Sequence, residues 1–458
     1  MRFVIGLWMI LTAPALALAL RAEAQKPPAE TDARKPLYAG WAQVDITPDK
    51  PVALIGQLHK RISKGVRDPL TATALALETR TADGSREQAV MVSCDVLYIK
   101  KAMQKRLREL VKPQLPDFDV EKLFLNATHT HTAPGFVDGT FKGLYDVSKD
   151  DGVMKASEYG EFFVGRLAGA VVEAWRSRKP AAMSWALGHA VVGMNRRAHY
   201  FDGSTAMYGQ TGRDNFSNIE GYEDHAVEML FFWGRDRKLT GVVINVACPA
   251  QETEGLSEIS ADFWHDVRVE LRKRLSSDLF VFAQCGAAGD QSPHLLFRRR
   301  AEDAMRESRG LSRRQEIARR IAGAVEDVLP LARAGIAEKV VFEHAVAKLN
   351  LPKHEPEALP FYQTDPVEPA EVHVLRLGDV ALATNPFELY LDYGIRMKAR
   401  SPAILTLVVQ LSSQQSGYLP TEKAIKGGGY SADKFLVGPR GGQVLVNETL
   451  ALIGRMWD

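Results

Sequence analysis

The chain has 458 residues, 46% hydrophobic and 25% charged, with 58 lysines and arginines against 56 aspartates and glutamates. A formal charge of +2 gives no basic excess of the kind nucleic-acid binding needs, and the composition is that of a globular protein, not a disordered or fibrous one. Three cysteines, Cys94, Cys248 and Cys285, cannot make a disulfide framework in an exported chain, so at least one is free or bound to something.

Arg2, an apolar run over residues 3–20 and the small-x-small triplet Ala22-Glu23-Ala24 have the order of a secretory signal cut before Gln25. The run is near the lower limit of a bilayer span, so an uncleaved anchor is the competing reading. Residues 1–24 are therefore read as a signal peptide. Residues 25–36, polar and proline-bearing, are read as a disordered tether, and residues 37–458 as one domain. The mature chain is expected to be secreted or periplasmic, with no later apolar run long enough to span a membrane.

Buried strands rich in Val, Ile, Leu and Phe are expected at 44–48, 90–98 and 122–128. Between the last two, Met103, Leu107, Leu110 and Val111 recur at helical spacing over 99–111. A second amphipathic helix covers 157–176, followed by strands at 181–192, 226–232 and 240–247. A helix at 261–275, a short strand at 279–284 and one long arginine-studded helix at 297–334 come next. Strands follow at 339–351, 371–384 and 404–411, and the Gly- and Lys-rich stretch 418–440 reads as loops. Mingled helices and strands with no internal linker point to one mixed α/β domain, with mixed β-sheets flanked by helices. The arginines at 298–300, 313 and 314 read as a solvated helix face, with an anionic substrate or head group as the alternative.

Chemistry concentrates in three places. In Asn126-Ala127-Thr128-His129-Thr130-His131-Thr132-Ala133-Pro134-Gly135 the two histidines lie two apart where a strand enters a turn, so an extended chain puts both on one side. That suits zinc, an acid–base pair, or two ordinary hydrogen-bonded histidines. Gly289-Asp290-Gln291-Ser292-Pro293-His294 follows a buried strand and is, alone, turn chemistry. Thr384-Asn385-Pro386-Phe387-Glu388 sets a carboxylate just after another strand.

Taken together these motifs resemble the catalytic domain of the neutral/alkaline (non-lysosomal) ceramidases. The resemblance begins at Val44-Asp45-Ile46-Thr47-Pro48 and Asp68-Pro69-Leu70 and continues through the Thr-His-Thr-His block and residues 289–293. It then takes in Leu377-Gly378-Asp379 up to Glu388, Ser416-Gly417-Tyr418-Leu419-Pro420-Thr421-Glu422, and Tyr430. It implies a zinc-dependent hydrolase cleaving the amide of an N-acyl, ceramide-like lipid or small molecule. His129, Glu388 and Tyr418 would be metal ligands, and His131 the proton handler. Tyr430 and Arg196 would hold the oxyanion, and Ser292 would be a required site hydroxyl. Where the family has its second ligand histidine before proline, this chain has Cys248 in Val246-Ala247-Cys248-Pro249-Ala250. A thiolate can bind zinc there; the other readings are a buried apolar cysteine, with His265 or His294 as the ligand. The chain stops soon after residues 442–446, which resemble the end of the catalytic domain, so the family's C-terminal immunoglobulin-like domain is not expected. Two rival functions stay open: a zinc hydrolase of a polar exported substrate such as a glycan derivative, and a non-catalytic binding protein.

Overall fold

Strand Lys35–Asp45 opens the described chain, which in this computed structural model covers residues 34–81, 84–354 and 369–458. It lies inside a nine-stranded sheet ordered Phe280–Cys285, Leu239–Val246, Ala226–Gly234, Lys179–His189, Lys35–Asp45, Thr71–Arg80, Arg86–Cys94 and Leu123–Ala127, with Lys339–Val340 paired to the start of Lys35–Asp45. Only the outermost pair at each edge is parallel. Parallel neighbours need a crossover, and one helix bridges each pair, Lys101–Val111 at one edge and Phe263–Arg274 at the other. A second sheet, Phe342–Leu349, Ala370–Leu377, Val380–Thr384 and Leu405–Val409, ends in a third parallel pair, spanned by Leu391–Arg400.

Strand Thr71–Arg80 shows how the layers stack. Ala72, Ala74 and Ala76 turn to one face, where they join a core with helix Ala156–Arg176. Leu75 and Leu77 turn to the other and meet Leu375, Leu382 and Leu407 of the second sheet. Both faces are covered, so the strand carries almost no polar alternation.

The large sheet curls until its edges touch. Ser93 Oγ donates to Ala283 O at 2.6 Å, and Asn126 Nδ2 donates to the same carbonyl at 3.2 Å. Arg268, on the crossover helix of one edge, donates to both oxygens of Asp95 beyond the other, at 2.7 and 3.0 Å. Both side chains are buried, and a buried fork of this kind is costly to break by removing one partner.

Several expectations change. Residues 1–33, with the signal and most of the tether, lie outside the described residues, while Lys35 and Pro36 already belong to the first strand. That strand ends at Asp45 instead of running through 44–48. The long helix of 297–334 is two, Arg299–Glu307 and Arg313–Ala334, divided around Gly310, whose φ is 67°. The 371–384 strand folds back at Gly378 into two. The 418–440 stretch holds a short strand, Tyr418–Leu419, and a helix, Glu422–Gly427. Arg314 is not on a solvated face: it is buried, 2.8 Å from Asp68 and 2.6 Å from Asp266. Arg313 pairs with Asp303 at 2.9 Å. Among the described residues no helix is long and apolar enough to cross a membrane.

Candidate functional site

The parallel pairs of the two large sheets all end toward the same chemistry. His129 follows strand Leu123–Ala127, Cys248 follows Leu239–Val246, and Ser292 comes after Phe280–Cys285. Glu388 follows Val380–Thr384, and Tyr418 comes after Leu405–Val409. Crevices beyond the carboxyl ends of parallel strands are where open α/β sheets build sites.

His129 has φ 68°, in the left-handed region, a strained value for a residue with a Cβ. Its N–H donates to Val96 O, and its Nδ1 lies 2.6 Å from Leu97 O. A carbonyl only accepts, so Nδ1 carries a proton. Nε2 then faces Glu388 Oε2 at 3.4 Å. Glu388 is brought there by a two-residue parallel ladder in which its register partner is Tyr418. Burial alone would raise the Glu388 pKa; His129, the Tyr418 hydroxyl and Arg196 outweigh it and hold the carboxyl below its ordinary value. Gly289 donates to Leu389 O at 2.8 Å, and a Cβ on it would stand 2.4 Å from Glu388 O, so only glycine allows this approach.

Arg196 is the buried hub behind these groups. Its Nη2 donates to Gly289 O at 2.9 Å and Tyr418 Oη at 3.4 Å, and its Nη1 to Tyr208 Oη and Gln251 Oε1, both at 3.3 Å. Tyr208 in turn donates to Ser292 Oγ at 3.0 Å, which also accepts the His294 N–H at 3.0 Å. The neighbouring Arg197 does different work: it pairs with Glu220 and donates to Gly428 O and Tyr430 O, fixing the loop that carries Tyr430. Burial pushes the Tyr430 phenol up to about 12, and its ring stands 5.7 Å from that of Tyr418. His131 meets His129 edge-on, ring centroids 4.9 Å apart.

His129, His131, Glu388, Tyr418 and Tyr430 thus line one crevice, and Arg196 joins Tyr418 to the Ser292 group. Cys248 is buried, its sulfur 3.5 Å from Pro249 O and its carbonyl accepting the Cys285 thiol at 3.3 Å. Burial, with Cys285 beside it, holds its thiol well above the usual pKa. Among the described residues no three His, Cys, Asp or Glu side chains form a metal-holding group, so Cys248 is not gathered with His129 and Glu388. The three cysteines are free. His265 lies half-buried on helix Phe263–Arg274, and His294 Nδ1 is 3.6 Å from Glu254 Oε1.

Sequence reasoning missed Tyr208, Gln251 and Glu254. Tyr208 had a signal: Asp202-Gly203 between two short strands marks a hairpin, and its register sets Met207 opposite Arg197 and hence Tyr208 beside Arg196. The Tyr208 N–H donates to Arg196 O at 2.7 Å with φ at 54°.

No protein-family model and no curated protein sequence matches this chain. Solved structures do. The neutral ceramidase from Pseudomonas aeruginosa superposes with a TM-score of 0.70 at 16% identity, over 92% of this chain and 75% of that one. A structure described as ceramidase complexed with C2 gives 0.67 at 16% identity, over 92% and 76%. The resemblance read from the motifs therefore stands in three dimensions, and the chain has the fold of a neutral ceramidase catalytic domain.

Proposed function

We propose that this protein is a zinc-dependent hydrolase that cleaves the amide bond of an N-acyl lipid of the ceramide kind, outside the cytoplasm. The observation that carries the reading is the lining of the site crevice. Beside the polar groups His129, His131, Glu388, Tyr418, Gln57 and Gln415 its walls include Leu97, Tyr98, Phe141, Tyr145, Leu411 and Tyr430, and no lysine or arginine stands among the described lining residues. Apolar walls around a few convergent polar groups suit an acyl chain ending in an amide. A glycan derivative would call for a polar rim.

The donor set fits zinc. His129 Nε2 faces the Glu388 carboxylate at 3.4 Å, an arrangement that needs a shared proton or a cation between the two. Imidazole and carboxylate are zinc ligand types, and Leu97 O orients the imidazole as outer partners of metal ligands do. His129, Glu388 and Tyr418 would hold the ion. Cys248 would join them only if its thiol left Pro249 O and lost its proton, which metal binding can drive. When bound, zinc supplies a Lewis acid that polarises a carbonyl and lowers the pKa of water toward about 7.

The chain's own groups would do the rest. His131 takes a proton from the attacking water and returns it to the amine nitrogen as the C–N bond breaks. Tyr430 donates to the developing oxyanion, and Arg196 steadies Tyr418 and, through Tyr208, Ser292. Both lone pairs of Ser292 Oγ are taken by Tyr208 and His294 N–H, so its own hydrogen is free to donate. That supports a hydrogen-bonding role over a nucleophilic one.

The test is metal analysis of the purified protein, then hydrolysis of ceramide-containing vesicles against N-acetylated sugars. The expected result is bound zinc and amide cleavage in the lipid, lost on chelation and restored by zinc. Turnover of the sugars alone would overturn the lipid reading, and full activity without metal would overturn the zinc.

A further inference from the structure

Helix Arg299–Glu307 has its polarity reversed. A surface helix normally buries an apolar stripe and shows its charges to water. This one buries no residue, and its body-facing side is the charged one. Glu302 pairs with Arg320, and Asp303 with Arg306 at 3.3 Å and Arg313 at 2.9 Å. Ala301, Ala304 and Met305, spaced to share one face, are exposed, Met305 at 55%. Phe297, just before the helix, is 42% exposed.

Between Phe297 and that face stand Arg298, Arg299 and Arg300, all exposed. Arg298 lays its guanidinium 4.6 Å over the Phe297 ring. Among the described residues none of the three makes an ion pair or a side-chain hydrogen bond. The next six arginines along the chain, from Arg306 to Arg320, each pair with an acid. Burial pushes Glu252, which senses Arg299, up to about 8, so it carries little charge at neutral pH. The patch also continues directly from the site. His294 Nδ1 stands 3.6 Å from Glu254, and Glu254 stands 3.5 Å from His131. Phe297 is three residues further on, a reach of about 10 Å at most, and Thr211 Oγ1 holds the intervening Leu296 O at 2.9 Å. Leu58, a residue of the crevice itself, is 63% exposed.

We propose that residues 297–305 dock on an anionic phospholipid surface, with Phe297 and Met305 entering its apolar boundary and Arg298, Arg299 and Arg300 pairing with head-group phosphates. Guanidinium forks match phosphate oxygens, and exposed apolar side chains beside cations suit the boundary between head groups and acyl chains. A soluble polyanion would leave Phe297 and Met305 in water, and a neutral bilayer would leave three charges unanswered. The docking stands on this surface alone; its use in delivering substrate to the crevice rests on the lipid reading above.

The experiment is co-sedimentation of the full chain with vesicles of phosphatidylcholine alone and of phosphatidylcholine mixed with phosphatidylglycerol. The wild-type protein should bind the mixed vesicles and not the neutral ones, and less as salt rises and screens the exposed charges. Combining Arg298→Gln, Arg299→Gln and Arg300→Gln should weaken binding about a hundredfold, since each arginine near an anionic surface is worth about fivefold. Phe297→Ala should weaken it about tenfold and leave its salt dependence as it was. Hydrolysis of ceramide in the mixed vesicles should fall in step in both variants, while hydrolysis of a short-chain N-acyl analogue in solution stays at the wild-type rate. Equal binding to both vesicles, or none to the mixed ones, overturns the proposal, and this comparison needs no variant to fold. A folded triple variant that binds the mixed vesicles as wild type does overturns it as well. Selective docking by a protein that cleaves neither substrate would sink the lipid-hydrolase reading and leave the docking surface standing.

Discussion

Two buried clusters in this fold use the same ingredients, His129, His131 and Glu388 with Arg196 in one, His344, His373 and Glu371 with Arg108 in the other. In the second, Arg108 forks onto both oxygens of Glu371 at 3.1 and 2.8 Å, and Glu371 meets His373 Nε2 at 3.0 Å. His373 Nδ1 meets His344 Nε2 at 2.9 Å, and His344 Nδ1 meets Gln88 O at 2.9 Å. Every ring nitrogen there has a protein partner at hydrogen-bond distance. In the first cluster His129 Nε2 and the Glu388 carboxylate face each other across 3.4 Å, and His131 Nδ1 has no hydrogen-bonded partner. Residue types do not separate a site from a brace; unspent donor and acceptor capacity does.

The comparison breaks most sharply at Glu388. Glu388→Gln should lower turnover by about a thousandfold, the several kcal/mol that metal-assisted polarisation supplies, with the thermal midpoint close to wild type. A collapsed midpoint instead would class this cluster with the brace. Glu371→Ala should do the reverse, costing about 3–5 kcal/mol of stability by denaturant titration, as removing one partner of a buried pair does, with turnover per folded molecule unchanged. Burial would raise the Glu371 pKa, but bonds from His373 and Arg108 outweigh it and hold the carboxyl below its ordinary range. Its stabilisation is therefore present above the unfolded-state pKa of about 4.3 and lost as pH falls toward the folded value. The gap between wild type and Glu371→Ala should close in acid; a constant gap would remove the charge from the account.

Smaller effects sharpen the first cluster. Tyr208→Phe removes the donor to Ser292 and the acceptor for Arg196, and should cost turnover about tenfold, the size of one hydrogen bond involving a charged group. Unchanged turnover would make Ser292 independent of Tyr208. Cys248→Ser should change least, since its sulfur bonds its own turn. Zinc content measured against wild type decides it, and a clear loss of metal would make the thiolate a ligand.

The sequence made the ligand candidates legible because each stands next to a strand end in a compact motif, and the Thr-His-Thr-His block, Glu388 and Tyr418 converge as those motifs imply. Strand Thr71–Arg80 was not legible. Its alternation is alanine against leucine, both buried, so no polar period marks it. Gln251 was hidden for another reason: its role depends on facing Arg196 and His131 across gaps of 55 and 120 residues, and nothing local to 249–254 encodes that. Arg313 and Arg314 read alike in sequence, yet only Arg314 is buried against Asp68.

The edge-to-edge closure of the large sheet has a kinetic consequence. Arg268 and Asp95 are 173 residues apart, and Arg196 and Tyr418 are 222 apart. Such pairs form only after long loops have closed, and non-local pairing slows folding. No half of the chain holds the site, because its members come from both edges of one sheet and the end of another. On the zinc proposal, metal affinity during refolding should therefore arise late and all at once, and zinc uptake would serve as a clock for the last event in assembly.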